Sequence, residues 1–198
     1  DFNSGLTEGG LCRLMECMDG TDLAMVARVR SGDQDAFRIL VERHSRAVFR
    51  VAYRLTGREE DADDVVQEAF LRAFRQLGRF EARSSFATWL YRIAFNCAHD
   101  LLRQRPKQGS RTSLDDEDDR RRIELADTSP AADPAQVLAA RRLNVRLRQA
   151  MDELTTQERA AFVMRHYEGL SIEEIGRALD LGASAAKHSV FRAVRKLR

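Results

Sequence analysis

The sequence predicts an all-α protein of two small helical domains joined by a flexible linker, the C-terminal domain being a helix-turn-helix. Three observations predict this. The 198 residues include only three prolines and eleven glycines, which favours long helices. Apolar residues recur at spacings of three and four, as in amphipathic helices. This periodicity lapses between Pro106 and Pro134, where five consecutive acidic residues precede three arginines, as in a solvated linker.

These changes divide the chain into four segments. Residues 1–20 are expected to be a disordered extension, 21–107 a helical domain, 108–134 the linker and 135–198 the helix-turn-helix domain. Each domain is small, so it must bury most of its apolar helix faces. The acidic run of the linker either keeps that segment solvated or masks a basic surface of the free protein, and the sequence leaves both open.

The N-terminal domain is predicted to contain four helices bounded by capping or helix-breaking residues. The first begins at Asp22, and Asp33 caps the second. The fourth begins at Ser84 or Ser85. The residues that end the four helices are Gly32, Gly57, Gly78 and Pro106. Within the fourth helix, we expect Phe86, Trp89 and Cys97 to lie mainly in the core, because they fall on its apolar stripe.

The C-terminal domain begins two of its helices with capping boxes, in which a hydroxyl and a Glu three residues later satisfy free amides. These are Thr155 with Glu158 and Ser171 with Glu174. A last helix is predicted to begin at Ser184. The apolar stripe that seats this helix is expected to comprise Ala186, Val190, Val194 and Leu197.

The last helix leaves a basic face that carries no acid. Its residues are Ala185, Lys187, His188, Arg192, Arg195 and Lys196. A short helix, a glycine-containing turn and a basic second helix are typical of a motif that enters the major groove of DNA. The alternative is a helical hairpin with a solvated basic face.

Other classes of function find no support in the sequence. We find no glycine-rich phosphate loop, nucleophile elbow or HExxH motif, so no catalytic site is expected. The three cysteines and four scattered histidines predict neither a disulfide framework nor a zinc site, and no cofactor or metal is expected. Without a long apolar run or a signal-peptide pattern, we expect a cytoplasmic protein with no direct membrane insertion.

Two surfaces of the N-terminal domain are chemically polarised. At the start of the third helix, Asp61, Asp64 and Glu68 form one acidic strip that suits a basic protein partner, although carboxylates there also favour the helix dipole. From residue 79 to residue 107, cations alternate with aromatic residues. Aromatic rings beside cations can hold unstacked bases, at about 1–3 kcal/mol per stacked base.

Four segments in this order resemble one known family. They are DADDVVQEAF (61–70), FATWLYRIAFN (86–96), EGLSIEEI (168–175) and FRA (191–193). Together they resemble the extracytoplasmic-function sigma factors of bacterial RNA polymerase, over nearly everything after Thr21. The resemblance implies an alternative sigma factor that binds the core enzyme, directs it to specific promoters and helps melt the minus-10 region.

The resemblance also implies partners. The acidic helix would dock on the beta-prime clamp helices, the C-terminal domain would meet the beta flap, and an anti-sigma factor would hold the free protein. The implied polymerase contacts are Asp61, Asp64, Gln67, Glu68 and Arg72. The implied contacts to melted minus-10 DNA are Phe80, Arg83, Trp89, Arg92, Asn96 and His99, with Asn96 bonding an extruded base. The implied contacts to duplex minus-35 DNA are Arg165, Ser184, Lys187, His188, Phe191, Arg192 and Arg195.

The recognition helix departs from the family pattern. Ser189 and Val194 stand where relatives frequently have Arg, and Ser184-Ala185-Ala186 replaces a common Gly-Thr-Val. A missing Arg removes a bidentate guanine contact, so we expect an altered minus-35 element. Two other functions stay open at this point: a free-standing helix-turn-helix regulator, and a thiol-responsive regulator acting through Cys12 and Cys17.

Overall fold

A computed structural model describes residues 21–104 and 150–198. Within these ranges the protein is helical and has no strand, which confirms the all-α prediction. The helices are α1 (residues 21–30), α2 (Asp35–Thr56), α3 (Glu59–Gln76), α4 (Phe86–Gln104), α5 (Thr156–His166), α6 (Ile172–Leu179) and α7 (Ala183–Lys196), with residues 150–152 also helical. A 3-10 turn, Leu77–Arg79, joins α3 to α4. The predicted extension and linker, and with them Cys12, Cys17 and Pro106, lie outside the described residues.

The N-terminal domain is a bundle in which α2, α3 and α4 contact one another. Its core contains fully buried aliphatic residues and one fully buried aromatic ring, namely Leu40, Val48, Val51, Leu55, Val65, Phe86 and Leu90. α1 is joined to α2 by Asp22, whose side chain is 1% exposed and lies 2.7 Å from His44 Nε2 and 2.5 Å from Arg43 Nη1. A buried carboxylate is costly unless its charge is compensated, so the contacts of Asp22 with Arg43 and His44 hold α1 against α2.

The helix starts agree closely with the caps expected from the sequence. Both capping boxes are present, with Thr155 and Ser171 as N-caps of α5 and α6. Ser85 Oγ accepts a hydrogen bond from Thr88 N (3.1 Å) at the start of α4. α2 begins at Asp35, after the N-cap Gln34, yet Asp33 still accepts from the backbone of the first turn. α7 begins one residue before the predicted start.

The prediction that Val194 anchors α7 is wrong. The fully buried residues of α7 are Ala186 and Ala193, and Val190 and Leu197 pack beside them. Since a helix turns every 3.6 residues, a stripe through Ala186 and Val190 continues at Ala193. The methyl side chains of Ala186 and Ala193 let α7 approach α5 and α6 closely.

The two domains pack against each other. α4 contacts α6, and α2 contacts α5. The sequence predicted two domains but not this interface, because its polar contacts join residues far apart in the chain. Among the described residues, no helix is long and apolar enough to cross a membrane.

Candidate nucleic-acid interface

The outer face of α7 is cationic and open to solvent. Lys187, His188, Arg192 and Arg195 are exposed, and Phe191 among them is 64% exposed. The helix contains no Asp or Glu. Lys187, Arg192 and Arg195 make no ion pair with any other described residue, so their charges remain available to phosphate.

Two polar side chains of α7 serve the protein instead. Ser189 Oγ donates to the carbonyl of Ala185 (3.0 Å), one turn earlier. Lys196 was predicted on the basic face and is exposed, but its charge is not free for DNA, because its Nζ lies 2.7 Å from Glu158 Oε2. This ion pair fastens the end of α7 to the start of α5, because Glu158 is buried and also completes the capping box.

The Glu158 carboxyl illustrates competing effects on a pKa. Burial alone raises its pKa, but the hydrogen bonds from Lys196 and Thr155 outweigh burial and leave the pKa below its ordinary value. Glu158 is therefore charged at neutral pH, and Lys196 compensates it.

The turn between α6 and α7 fixes the angle of α7. Asp180 adopts a left-handed conformation (φ 57°) and Leu181 N donates to Gly176 O (2.7 Å). A Cβ on Gly176 would lie 2.8 Å from the carbonyl oxygen of Leu181. Only glycine therefore allows this close approach. In the connection between α5 and α6, Arg165 Nη1 donates to the carbonyl of Leu170 (2.9 Å), so this predicted minus-35 contact braces that connection.

A second candidate surface lies on α4. Trp89, Arg92, Asn96 and His99 are spaced so that they share one face of the helix. Asn96 and Arg92 are exposed, and His99 is half-buried with its ring 5.9 Å from that of Phe95. The sequence-predicted minus-10 residues of α4 are thus brought together, with a cation and an amide between two rings.

Phe80 is placed differently from the rest of that set. Its side chain is 3% exposed and lies under Trp89, with ring centroids 5.1 Å apart. In this arrangement Phe80 supports Trp89 from below and does not face solvent. Arg83, in the same loop, is exposed and pairs with Glu81 at 2.7 Å.

The loop before α4 is held by Arg30, which sequence reasoning missed. The Arg30 guanidinium donates to the carbonyl oxygens of Leu77 (2.8 Å) and Phe80. The same loop contains Ala82 at φ 54°, a left-handed backbone conformation that residues other than Gly, Asn and Asp rarely adopt. No local pattern indicates a contact across 47 residues, so no sequence signal marks Arg30.

The acidic strip lies on α3. Asp64 and Gln67 are exposed, and Asp61 and Glu68 are half-buried. Arg72 Nε lies 2.5 Å from Glu68 Oε1, and that hydrogen bond is the main cause of the raised pKa of Arg72. The strip continues into two exposed apolar side chains that the sequence analysis missed, Leu71 (43%) and Phe74 (42%). Exposed apolar side chains rimmed by polar residues are typical of a protein-docking surface.

No group of three or more potential metal ligands occurs in the described parts of the chain. Cys97 is buried in α4, as expected for a core residue. Burial raises the pKa of its thiol to about 11, which leaves it protonated and unreactive at neutral pH.

Comparison with known proteins identifies the family. Residues 40–108 match Sigma-70 region 2, and residues 144–197 match Sigma-70 region 4. The chain is 33% identical to RNA polymerase sigma-H factor of Pseudomonas aeruginosa over 87% of its length and 89% of the relative. It is 34% identical to ECF RNA polymerase sigma-E factor of Escherichia coli K12 over 87% of this chain and 90% of the relative. The chain belongs to the ECF sigma factors. It is thus an alternative sigma factor that directs RNA polymerase to promoters.

Solved structures support the same fold for this sigma factor. CnrH, in complex with the cytosolic domain of CnrY, is 30% identical and aligns with a TM-score of 0.64 over 89% of this chain and 94% of that one. The sigma factor RpoE of Bartonella quintana, in complex with the anti-sigma factor NepR, is 22% identical. It aligns with a TM-score of 0.57 over 81% of this chain and 93% of that one. The second likeness concerns the fold alone.

Proposed function

We propose that this sigma factor divides promoter recognition among three surfaces: α3 docks on core polymerase, α4 with its preceding loop holds melted minus-10 DNA, and α7 contacts the minus-35 duplex. The α4 face supports this most strongly. A free-standing helix-turn-helix regulator needs no second surface of aromatic and cationic side chains, whereas a protein that captures a melted strand does.

At the minus-10 element, the loop held by Arg30 and the face of α4 together receive the separated strand. Trp89 offers a ring for stacking, Arg92 a cation for phosphate, and Asn96 an amide with both donors and an acceptor for a base edge. Extruding a base costs a few kcal/mol, which stacking and hydrogen bonding at such a site offset. Arg83 and His99 flank the path of the strand. Phe80 acts from beneath, by holding Trp89 in place.

At the minus-35 element, α7 enters the major groove. Lys187, Arg192 and Arg195 neutralise phosphates or contact guanine, and the exposed ring of Phe191 suits a thymine methyl group. His188, Ser184 and Arg165 complete the contact set. The hydroxyl of Ser189 donates its proton to the carbonyl of Ala185, so this residue cannot replace the two donors that an arginine presents to guanine. We therefore keep the prediction of an altered minus-35 sequence, which a selection of bound sequences tests.

On polymerase, the acidic strip of α3 meets the basic clamp helices of the beta-prime subunit. Asp61, Asp64, Gln67 and Glu68 supply the polar contacts, and Arg72 positions Glu68. The C-terminal domain docks at the beta flap. We expect the chain to act as a specificity subunit, with catalysis left to polymerase, and to act in the cytoplasm, where polymerase is found. We expect an anti-sigma factor to hold the free protein, in the way that the 30% identical CnrH forms a complex with the cytosolic domain of CnrY.

Asn96→Ala tests this division of labour. The variant is expected to co-elute with core polymerase as wild type does and to lose promoter opening by roughly 10- to 100-fold, which is the loss of about 1.4–2.8 kcal/mol of base contact. Opening is measured by permanganate reactivity of unpaired thymines in the reconstituted holoenzyme.

Gln104→Ala is the matched control, because Gln104 is an exposed amide side chain at the other end of α4 and its loss leaves the charge of the protein unchanged. Normal opening by Asn96→Ala, or equal losses in the two variants, would contradict the assignment of Asn96. Stable and specific duplex binding by the protein alone, with no capture of core polymerase, would favour the free-standing regulator.

A further inference from the structure

The two domains of the sigma factor meet at a buried carboxylate. Glu168 follows α5, and its side chain is 4% exposed. Arg50, on α2, donates to both carboxylate oxygens, from Nε at 3.2 Å and from Nη2 at 2.8 Å. Tyr91, on α4, donates its hydroxyl to the same group at 3.1 Å. The N-terminal domain thus supplies both side chains that compensate a carboxylate of the C-terminal domain.

The surroundings of Glu168 strengthen this contact. The guanidinium of Arg54 lies 3.9 Å from the centre of the Tyr167 ring, and Arg159 Nη1 donates to the carbonyl of Leu55 at 3.4 Å. Burial, and then the Glu168 carboxylate, raise the pKa of Tyr91, so its hydroxyl remains protonated and able to donate. A carboxylate buried without these partners would carry a large desolvation penalty, so separation of the domains must rehydrate Glu168.

The same packing places the C-terminal domain over the proposed minus-10 face. Arg92 Nη2 lies 3.0 Å from Asp180 Oδ1, and Arg177 Nη1 donates to the carbonyl of Arg83 at 3.4 Å. A cleft of about 870 Å³ remains between the domains, with Trp89 and Arg92 on one side and Asp180 on the other. By contrast, the cationic face of α7 stays open to solvent.

The promoter requires the domains to separate. Elements centred near positions 35 and 10 are about 25 base pairs apart, or about 85 Å at 3.4 Å per base pair of B-form DNA. A compact chain of 198 residues has a radius of gyration of only about 16 Å. Domains in direct contact therefore cannot occupy both elements at once.

We propose that Glu168 is an autoinhibitory latch: with Arg50 and Tyr91 it holds the C-terminal domain over the minus-10 face of the free protein, and the latch opens when polymerase binds. This inference rests on the proposed function for the assignment of the minus-10 face. Asp180 acts as a second contact that occupies Arg92. Core polymerase, by binding the separated arrangement preferentially, shifts the population towards it.

Glu168→Lys tests the latch, because a cation there would face Arg50. Exchanging the pair, Arg50→Glu with Glu168→Arg, restores opposite charges and leaves the net charge of the protein as in wild type. Glu153→Lys is the matched control, since it makes the same charge change at an exposed site of the C-terminal domain. Thermal melts confirm that each variant folds. Asp180→Asn, at a side chain 79% exposed, releases Arg92 with little risk to folding.

Two measurements use the full chain without polymerase. Small-angle X-ray scattering gives the radius of gyration, and fluorescence anisotropy gives affinity for a short labelled single-stranded DNA of randomised sequence and for its duplex counterpart. We expect Glu168→Lys to expand and to bind the single strand roughly tenfold more tightly than Glu153→Lys, the change that follows if the open state rises from about a tenth of the population to most of it. Duplex affinity should match that of Glu153→Lys.

The exchanged pair should return both readouts to wild-type values, and Asp180→Asn should increase single-strand affinity by a smaller factor. An unchanged radius of gyration in Glu168→Lys overturns the proposal, and so does expansion without a gain in single-strand affinity. Polymerase capture separates this inference from the proposed function. If Glu168→Lys expands and gains single-strand affinity while the wild-type protein does not capture polymerase, the result supports the latch and refutes the proposed function.

Discussion

At the scale of single residues, side-chain chemistry and the family resemblance predicted which positions matter, and the structure shows which of those side chains are exposed and which are engaged within the protein. The resemblance to sigma factors implied that Trp89, Arg92 and Asn96 act together, and they share a face of α4. Lys196 could not be assigned in this way. A lysine at the end of a basic helix has the same local sequence whether it faces DNA or a buried acid. Only the packing of α7 on α5 determines that Lys196 pairs with Glu158.

The pair of Lys196 and Glu158 predicts a pH dependence. Because the folded-state pKa of Glu158 is lowered, this carboxylate contributes stability that is fully present above its unfolded pKa and is lost as pH falls through the folded value. Lys196→Met should therefore lower the free energy of unfolding by about 1–3 kcal/mol at pH 7. The difference from wild type should shrink in acid, once Glu158 is protonated in both proteins.

Urea unfolding at neutral and acidic pH measures this difference. Lys187→Met is the control, since Lys187 is an exposed lysine of the same helix and makes no ion pair with any described residue. A deficit in Lys196→Met that stays constant between the two pH values would show that its cause is not the ion pair.

At the scale of helices, caps and apolar periodicity predicted nearly every boundary. Thr155 and Ser171 begin their helices as expected, because a capping box satisfies backbone groups locally and needs no tertiary context. The stripe of α7 was harder to predict. Alanine and valine are both apolar, so hydrophobicity ranked Val194 above Ala193, whereas the close approach of three helices favours the smaller side chain.

The turn before α7 yields a prediction at this scale. Gly176→Ala places a Cβ against the Leu181 carbonyl, so the turn must shift and α7 must tilt. We expect a loss of about 1–3 kcal/mol in stability, as for other overpacked sites, together with weaker binding of minus-35 duplex.

Thermal unfolding and duplex anisotropy report the two effects of Gly176→Ala. Gly182→Ala is the control in the same turn, because a Cβ there meets nothing within 4 Å. Equal behaviour of the two variants would contradict the role of Gly176 in setting the helix angle.

At the scale of the whole molecule, the sequence predicted two domains and the charge of each surface, but not how the domains meet. Glu168 lies in a segment that resembles its family closely, so its presence was evident, while its contacts with Arg50 and Tyr91 join residues 118 and 77 positions away. Such contacts have no periodic signature. Arg30, which holds the loop before α4, escaped notice for the same reason.

The central claim is that the protein docks on RNA polymerase through the acidic strip of α3, and co-elution with core enzyme on a sizing column at near-physiological salt tests it most directly. Wild type should co-elute in equal amounts with the core. Asp64→Arg with Glu68→Arg should weaken capture, because like charges would face a basic partner. The control carries the same two charge changes at exposed acids away from α3, Glu42→Arg with Glu153→Arg, and should capture polymerase as wild type does. Failure of the wild type to co-elute, or undiminished capture by the α3 variant, would contradict the account.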